Sequence, residues 1–299
     1  MIGFSRPVSR RARAVVTGAG SGIGRSFALE LATRGGSVVC ADIDREGAAE
    51  TVAQIERAGG RASAFVGDMR AAEEVLALRE HAVEWFGAAP TLLINNAGVG
   101  AGGHTVGTSS LDEWERTLQI NLWGVIYGCH HFLPVMRTEE RAGIINVASA
   151  AGFAAGPRMA AYNVSKAGVM SLSETLAAEL AGTGVRVSVL CPTFVKTNIF
   201  TGEDIETGAA AAAARLAKTV GMSPDKVATM TLNSHDRGHL YVVPQLDARA
   251  IWLSKRFVPA THARVSGLLS RLRPFTPEHQ TVDDAQQPAA GEYPKGTTS

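Results

Sequence analysis

The chain lacks long apolar runs, a large excess of one charge, and more than a few cysteines. No stretch of its 299 residues approaches the roughly 18–20 apolar residues of a membrane-spanning helix, and the N-terminus lacks the apolar core of a signal peptide. The net charge of +1 gives no reason to expect nucleic acid as a partner. With 45% hydrophobic and 19% charged residues, the composition indicates a globular protein with a sizeable core, which we expect in the cytoplasm.

The three cysteines, Cys40, Cys129 and Cys191, are odd in number, and each lies in an apolar run. This pattern predicts buried thiols in a reducing compartment, not a disulfide framework or a metal cluster. His235 and His239 have the i,i+4 spacing of helical metal ligands, but no third ligand accompanies them, so we predict no metal.

What the chain does have is a regular alternation of short Val- and Ile-rich runs with longer helical patterns. Such alternation is typical of β-α-β units, and right-handed crossovers would wind them into a doubly wound α/β fold with one mainly parallel sheet. The predicted strands are 14–17, 37–41, 63–67, 92–95, 143–148, 185–190 and 240–243. The predicted helices are 23–33, 45–58, 71–86, 111–137, 160–181 and 247–257.

Segments of other character flank or interrupt this α/β body, which we place at residues 13–243. Residues 1–12 are basic and are predicted to be a flexible arm. Residues 198–239 fall where a doubly wound enzyme covers its ligand, so they predict a substrate lid, with a purely structural helix pair as the alternative. Residues 244–275 form a basic amphipathic extension that would dock on its own domain or a partner subunit, or would bind a membrane surface. Residues 276–299 have a composition typical of disorder.

A glycine-rich turn at residues 17–24 follows the first predicted strand and opens the first predicted helix. Its glycines permit a tight turn and a close approach of the backbone to a pyrophosphate, which the helix N-terminus would face. The turn therefore predicts a dinucleotide site with contacts from Gly18, Ser21, Gly22, Ile23 and Gly24.

Asp42 ends the second predicted strand, where a carboxylate can accept hydrogen bonds from the hydroxyls of the adenosine ribose. The same carboxylate would repel a 2′-phosphate. Ser21 supplies no compensating cation, and we expect Asp42 to outweigh Arg45, three residues further along the chain. The sequence therefore predicts NAD in preference to NADP.

Tyr162 and Lys166 are four residues apart in a predicted helix, so both side chains project from one face. A phenol has a reference pKa of about 10, and an ammonium nearby could lower that pKa by up to ~3 units. Such a change would make Tyr162 an acid and a base near pH 7. Because Y-x-x-x-K is a common pattern, its weight depends on Ser149 and on the glycine-rich turn.

Taken together, these features resemble the short-chain dehydrogenase/reductase family over residues 13–197, with looser similarity to 243. The family's motifs occur in order: T-G-x-x-x-G-x-G at 17–24, an acid and its neighbour at Asp68 and Met69, N-N-A-G at 95–98, Asn121, Ser149, Y-x-x-x-K at 162–166, and Pro192 after the sixth strand. The resemblance implies a Rossmann-type, seven-stranded sheet of order 3-2-1-4-5-6-7. It also implies NAD(P)-dependent oxidoreductase activity, commonly in homodimers or homotetramers.

The resemblance further implies a role for each motif residue. Tyr162 is the acid and base, Ser149 orients the substrate oxygen, and Lys166 holds the nicotinamide ribose and lowers the pKa of Tyr162. Asn121 is expected to anchor a water that links Lys166 to solvent. The expected cofactor contacts are Asp68 and Met69 to adenine, Asn95 and Ala97 to the adenine-side ribose, and Pro192, Val195 and Thr197 near the nicotinamide.

The sequence departs from the family after Pro192, where Thr193 replaces the usual Gly and Phe194 places an aromatic ring near the nicotinamide. Thr91 stands where the family often has Asp, a change with no functional explanation in the sequence. The residues expected at the substrate end of the site are mostly apolar, which suits a hydrophobic alcohol or ketone more than a sugar or a carboxylate. They are Val99, Phe153, Met159, Phe194 and Phe200, of which Phe153 and Met159 could equally pack under the lid.

The sequence thus predicts an NAD-dependent oxidoreductase that interconverts a hydrophobic secondary alcohol and its ketone. A 3-ketoacyl-thioester reductase is an alternative that usually goes with NADP, so Asp42 argues against it; a hydroxysteroid-type dehydrogenase is compatible with the apolar lining. A non-catalytic dinucleotide-binding regulator is a remote alternative, because all four predicted catalytic residues are present. The predicted partners are the small hydrophobic substrate and further copies of the chain, without nucleic acid. Weak contact of residues 244–275 with a membrane would make the cytoplasmic protein peripheral.

Overall fold

The computed structural model describes residues 7–199 and 205–272. Its strands are β1 (Arg13–Thr17), β2 (Ser37–Asp42), β3 (Arg61–Val66), β4 (Leu92–Asn95), β5 (Ala142–Val147), β6 (Val185–Leu190) and β7 (Tyr241–Val242). They form one sheet of order β3-β2-β1-β4-β5-β6-β7, in which all neighbouring strands are parallel. The predicted fold class and strand order are confirmed.

Helices cover the sheet on both faces. They are α1 (Gly22–Thr33), α2 (Arg45–Arg57), α3 (Ala72–Phe86), α4 (Leu111–Leu118), α5 (Gly124–Met136), α6 (Ala151–Ala154), α7 (Ala160–Glu179), α8 (Thr207–Val220), α9 (Pro224–Asp236), α10 (Leu246–Phe257) and α11 (Pro259–Leu272). The three cysteines are buried and free, as predicted for thiols set in apolar runs.

The centre of the sheet is enclosed from both sides, which explains the near-continuous apolar runs of its strands. Every residue of β4 and β5 is buried, and their side chains contribute to two hydrophobic cores. β1 pairs with β2 on one side and with β4 on the other, so the winding direction reverses between β1 and β4. In doubly wound folds, ligands bind at the carboxyl ends of the strands beside such a reversal. Here that position is occupied by Thr17 and Asn95.

The helix predicted at 111–137 is present but not uniform. Between α4 and α5 the chain forms a π-helical turn, Gln119–Trp123, and Pro134 lies inside α5. Apolar spacing carries no signal for one widened turn, so the sequence predicted a single α-helix. Such π-helical turns are frequent at functional sites, and this one contains Asn121.

Only part of the predicted lid at 198–239 can act as one. α9 packs against α1 with Val227 and Leu232 buried, and Asp225 accepts a 2.6 Å hydrogen bond from Ser26. α9 is therefore the structural crossover between β6 and β7. The lid prediction now rests on residues 205–222, which contain α8.

The extension predicted at 244–275 forms two helices, α10 and α11. α10 docks on its own domain, where Trp252 stacks on Phe153 of α6 with ring centroids 6.1 Å apart. Among the described residues, no helix combines the length and apolar character needed to cross a membrane. Residues 1–6 of the predicted arm, Phe200 with the neighbouring lid residues 201–204, and the predicted tail lie outside the described residues.

Candidate active site

The glycine-rich turn is joined tightly to the loop after β4. Thr17 Oγ1 accepts hydrogen bonds from the amides of Asn96 and Ala97, both at 3.0 Å, and Asn96 Nδ2 donates to Thr17 O at 2.9 Å. Gly18 has φ +63°, and a Cβ there would lie 2.8 Å from the Cα of Ala97. Thr17 and Asn96 therefore fix the two motif loops to each other, a role the sequence did not reveal because it depends on strand order.

The N-terminus of α1 is open to a ligand. Ser21 occupies the N-cap position in extended conformation, yet within the described chain its side chain makes no capping hydrogen bond to the first turn. Uncapped amides at a helix N-terminus, together with the helix dipole, favour an anion. A Cβ on Gly24 would collide with the carbonyl oxygen of Gly18, and Gly22 has φ +53° with Thr197 packed beside it. With Ile23 partly exposed in the same turn, these residues fit a dinucleotide pyrophosphate.

Asp42 lies beside the glycine-rich turn and also holds its backbone in place. Its Oδ2 accepts from the amide of Gly20 at 2.7 Å, and its Oδ1 accepts from the amide of Asp44 at 2.9 Å. From beneath, the Arg25 guanidinium donates to the carbonyl oxygen of Gly20. The carboxylate is only half-buried, so it remains accessible to ribose hydroxyls at the end of β2.

The predicted adenine contacts are partly occupied by protein groups. Asp68 Oδ2 accepts from Arg70 Nε at 2.7 Å. Burial raises the pKa of the Asp68 carboxyl, but hydrogen bonds from Arg70 and its charge outweigh this and hold the pKa below its usual range. The Met69 side chain is buried next to Gly124, so an adenine contact from Met69 would use its backbone.

Asn95 lies inside the sheet, where its side chain cannot serve the predicted ribose contact. Register pairs Asn95 with Asn146 on β5, and its Nδ2 donates to Asn146 Oδ1 at 2.8 Å. Asn95 is 2% exposed, whereas Ala97 is partly exposed in the loop beyond. The side chain of the first Asn of N-N-A-G thus joins two strands, and a ribose contact from the backbone of Asn95 stays a prediction.

Tyr162, Ser149 and Lys166 converge at the carboxyl end of β5. Ser149 lies beside Tyr162 and lowers the pKa of its phenol, while Ser149 Oγ donates to Pro192 O at 3.4 Å and accepts from the Ala151 amide at 3.2 Å. Lys166 is 3% exposed; its Nζ donates to Val147 O at 3.1 Å and lies 5.7 Å from the centre of the Tyr162 ring. The helical spacing places Tyr162 and Lys166 on one face of α7, and the end of β5 brings Ser149 to the same small volume.

The protonation of this cluster differs from the sequence-based prediction. Burial raises the pKa of Tyr162 above its ordinary value, with the hydrogen bond to Ser149 acting in the opposite direction. Burial also lowers the pKa of Lys166 to about 8. Lys166 alone therefore does not bring the pKa of the phenol near 7, because desolvation penalises the phenolate.

Asn121 holds the loop that borders this cluster. Its Oδ1 accepts from the Val99 amide at 2.8 Å, and its Nδ2 donates to Val99 O at 2.9 Å. A Cβ on Gly98 would lie 2.9 Å from Asn121 Oδ1 and 3.3 Å from Lys166 Nζ, so only glycine fits there without displacement. Asn121 Nδ2 also donates to Ser165 Oγ at 3.3 Å, so the side chain joins the loop at Val99 to α7; its role toward a water stays a prediction.

The predicted contacts after β6 form a strip between Ser149 and the glycine-rich turn. Pro192 is buried, and its carbonyl oxygen accepts from the Ala150 amide at 2.8 Å. Val195 is 4% exposed, so a carboxamide contact from it would be made by the backbone. Thr197 lies at the far end of the strip, where its methyl group faces Gly22.

Three loops meet to form a wall beyond Val99. The Gly103 amide donates to Arg158 O at 2.8 Å, and Gly102 O accepts from the Glu206 amide at 3.0 Å. Gly102 and Gly103 have φ of 158° and 109°, and Met159 packs against Gly102. The start of the predicted lid, at Glu206, is therefore bonded to the loop at Gly102, and that loop is bonded in turn to the loop that contains Arg158 and Met159.

Phe153 and Phe194 have different surroundings. Phe153 is buried against Trp252, so it belongs to the packing of α10 and not to the exposed lining. Phe194 is partly exposed, and its carbonyl oxygen accepts from Met222 N at 3.0 Å and from Gln245 Nε2 at 3.1 Å.

Gln245 thereby fixes the segment in which the sequence departs from the family. Besides Phe194 O, its amide binds the backbone of Thr193, whose N–H donates to Gln245 Oε1 at 3.2 Å. Gln245 is 8% exposed, so both bonds form in a shielded position. No sequence motif marks this residue, which follows β7 more than fifty positions after Thr193.

Comparison with known proteins agrees with this geometry. The sequence profile of the short chain dehydrogenase family matches residues 12–207. The chain belongs to this family and is an oxidoreductase of the short-chain type.

Among solved structures, a short chain dehydrogenase/reductase from Burkholderia phymatum in complex with NAD matches with a TM-score of 0.75 and 36% identity, covering 81% of this chain and 92% of that one. Cyclohexanol dehydrogenase of Acinetobacter sp. is 38% identical over 184 residues, 62% of this chain and 73% of that protein. The 3beta-hydroxysteroid dehydrogenase 1 of Eggerthella lenta is 37% identical over 204 residues, 68% of this chain and 77% of that protein. Probable oxidoreductase EphD of Mycobacterium tuberculosis is 40% identical over 62% of this chain, which spans only 31% of that longer relative.

Proposed function

We propose that the protein is an NAD-dependent dehydrogenase that interconverts a hydrophobic secondary alcohol and its ketone. The observation that carries this proposal is the convergence of Tyr162, Ser149 and the buried Lys166 at the sheet edge that also holds the glycine-rich turn. Tyr162 can transfer a proton to or from the substrate oxygen, Ser149 can form a hydrogen bond to that oxygen, and Lys166 carries a positive charge.

In the oxidative direction, Tyr162 accepts the proton of the substrate hydroxyl while Ser149 donates a hydrogen bond to the same oxygen. The buried ammonium of Lys166 stabilises the phenolate form of Tyr162 that accepts this proton, because its field is weakly screened there. NAD⁺, when bound, supplies the hydride acceptor and a positive charge beside the phenol. In the reductive direction, Tyr162 returns the proton to the carbonyl oxygen.

The preference for NAD is inferred from Asp42. The amides of the turn at the start of α1 would hold the pyrophosphate, and the accessible carboxylate would accept from the ribose hydroxyls and repel a 2′-phosphate. Arg25 lies near this position, but its guanidinium is bound to the carbonyl oxygen of Gly20. The solved relative that contains NAD supports the assignment.

The substrate class is inferred from the lining and from one relative. Val99, Met159 and Phe194 are partly exposed in the loops around the catalytic cluster, so the surface presented to the reacting carbon is apolar. The relative named for cyclohexanol supports an alicyclic alcohol without polar substituents. Phe200 stays a predicted contact.

The test is a screen of alicyclic and aliphatic secondary alcohols at alkaline pH, with NADH formation as the readout, because oxidation releases a proton. We expect turnover with NAD and little with NADP. Asp42→Ala should narrow the difference between the two cofactors, whereas Asp44→Ala, which removes a neighbouring exposed carboxylate, should preserve it. Equal use of NADP by the unmodified protein would refute the cofactor assignment, and turnover of none of the alcohols or their ketones would refute the reaction.

A hydroxysteroid-type dehydrogenase is the second candidate, favoured by the similarity to the 3beta-hydroxysteroid enzyme. A 3-ketoacyl-thioester reductase ranks behind it because of Asp42. A 3-hydroxysteroid and a 3-ketoacyl thioester should therefore be included in the screen. The substrate with the highest kcat/KM then distinguishes a hydroxysteroid-type dehydrogenase and a 3-ketoacyl-thioester reductase from a dehydrogenase of simple alcohols.

A further inference from the structure

Half of the large hydrophobic side chains that the described part of the chain exposes lie on its last two helices or between them. Single exposed apolar residues are normal, but a concentration of them marks an interaction surface. We call these seven of fourteen residues the C-terminal apolar face: Leu246, Leu253, Phe257, Val258, Val265, Leu268 and Leu269.

On α10, the apolar face is the side turned away from the protein body. Ala248 is fully buried, and Trp252 contacts Phe153, so these residues use the inner side of the helix. Leu253 and Phe257 are four residues apart and share the outer side, where they are 54% and 75% exposed. The helix is thus apolar on both sides, and its own domain covers only one.

α11 presents the same kind of stripe. Val265, Leu268 and Leu269 have the i, i+3, i+4 spacing of one helical face, and each is about half exposed. The helix is attached through His262, whose ring nitrogens bond Ser254 Oγ at 2.9 Å and Ala154 O at 3.1 Å. None of the described side chains of α11 is buried, so its apolar stripe has no partner within the described chain.

The charge around this face decides which partner fits. Residues 246–272 contain five basic residues and one acid, Asp247, although the whole chain has a net charge of only +1. Arg256 precedes Phe257, and Arg264 precedes Val265, so positive charge borders the apolar side chains directly. In a symmetric dimer the same patch faces itself, which would set these arginines against one another. An anionic lipid surface instead offers opposite charge at its headgroups and apolar chains just beneath.

We propose that α10 and α11 dock the protein on the surface of an anionic membrane. The apolar face enters the boundary between headgroups and acyl chains, and the arginines contact lipid phosphates. The helices lie on the bilayer, since no described helix can cross it. The proposal is independent of the catalytic assignment.

Co-sedimentation of the full chain with vesicles tests the proposal. We expect binding to vesicles of phosphatidylcholine mixed with phosphatidylglycerol, much weaker binding to phosphatidylcholine alone, and release by salt. Leu268→Gln with Leu269→Gln should abolish binding. Arg264→Gln with Arg271→Gln should weaken it roughly 30-fold, at about 1 kcal/mol for each basic residue near an anionic surface.

The matched control is Leu111→Gln with Val220→Gln, which alters two apolar residues elsewhere that are even more exposed, and this variant should bind like the unmodified chain. Failure of the unmodified chain to sediment with the anionic vesicles would overturn the proposal. Light scattering tests the alternative that this face binds a second copy of the chain. If the unmodified chain does not bind vesicles and the variant with both Leu268→Gln and Leu269→Gln has a lower oligomer mass, that alternative holds and the proposal is wrong.

Discussion

Lowering the pH from 7 to about 4.5 is expected to weaken the fold through one buried histidine. His235 lies near the end of α9, with Nδ1 bonded to Ser188 Oγ at 2.8 Å, and Ser188 in turn donates to His239 O at 2.7 Å. Nε2 faces Gly143 and has no hydrogen-bond partner among the described residues. Burial lowers the pKa of His235 from 6.5 to about 4. Between these two pH values the histidine is protonated in the unfolded chain but neutral in the folded chain. The free energy of unfolding therefore decreases as the pH is lowered through this window.

The size of the effect follows from the shift. At ~1.36 kcal/mol per pKa unit, a depression from 6.5 to about 4 removes about 3 kcal/mol once the pH is below both values. About 2 kcal/mol of this should already be lost at pH 4.5, a large part of an ordinary domain's stability.

Urea unfolding at both pH values measures this loss. His235→Asn should lower stability at pH 7 through poorer packing, yet flatten the pH dependence by about 2 kcal/mol. His239→Asn is the matched control, since His239 is exposed four residues away and should leave the pH dependence unchanged. If the unmodified protein and His235→Asn lose equal stability on acidification, the histidine is not the cause.

Two substitutions test how the cofactor site is built. Gly24→Ala should abolish NAD binding and lower thermal stability, because the new Cβ would collide with the carbonyl oxygen of Gly18. Calorimetry that finds normal NAD affinity for this variant would contradict the proposal that the glycine-rich turn holds the pyrophosphate. Gln245→Leu leaves the Thr193 amide and the Phe194 carbonyl without this partner and should cost about 1–3 kcal/mol of stability while raising KM more than it lowers kcat. Gln245→Glu keeps only the hydrogen-bond acceptor, so its stability and KM should lie between those of Gln245→Leu and those of the unmodified enzyme. If both variants have the kinetics of the unmodified enzyme, Gln245 has no positioning role.

The sheet and the catalytic cluster were predictable from the sequence because both depend on local signals. Buried parallel strands are apolar nearly throughout, and the spacing of Tyr162 and Lys166 fixes their common face before any tertiary contact is known. The order of the glycine-rich turn after a strand likewise places its amides at a strand end.

The remaining features depend on which distant segments meet. Asn95 ends the predicted strand 92–95, but the sequence does not show that its side chain bonds Asn146 on β5 inside the sheet. From the sequence, Phe153 could line the pocket or pack under the lid; in the structure Trp252, about a hundred residues later, stacks on it. Burial raises the pKa of Tyr162, and the sequence could supply only the spacing of the opposing charge. In each case a long-range neighbour outweighed a local signal.

The central claim is that the Tyr162 hydroxyl carries the proton transfer in a site that binds NAD independently of it. Tyr162→Phe retains the ring and removes only that hydroxyl, so kcat for the best alcohol of the screen and the Kd for NAD should be measured together. The account predicts a fall in kcat of about 10²–10⁴-fold with the NAD affinity unchanged. Turnover equal to that of the unmodified enzyme would contradict it.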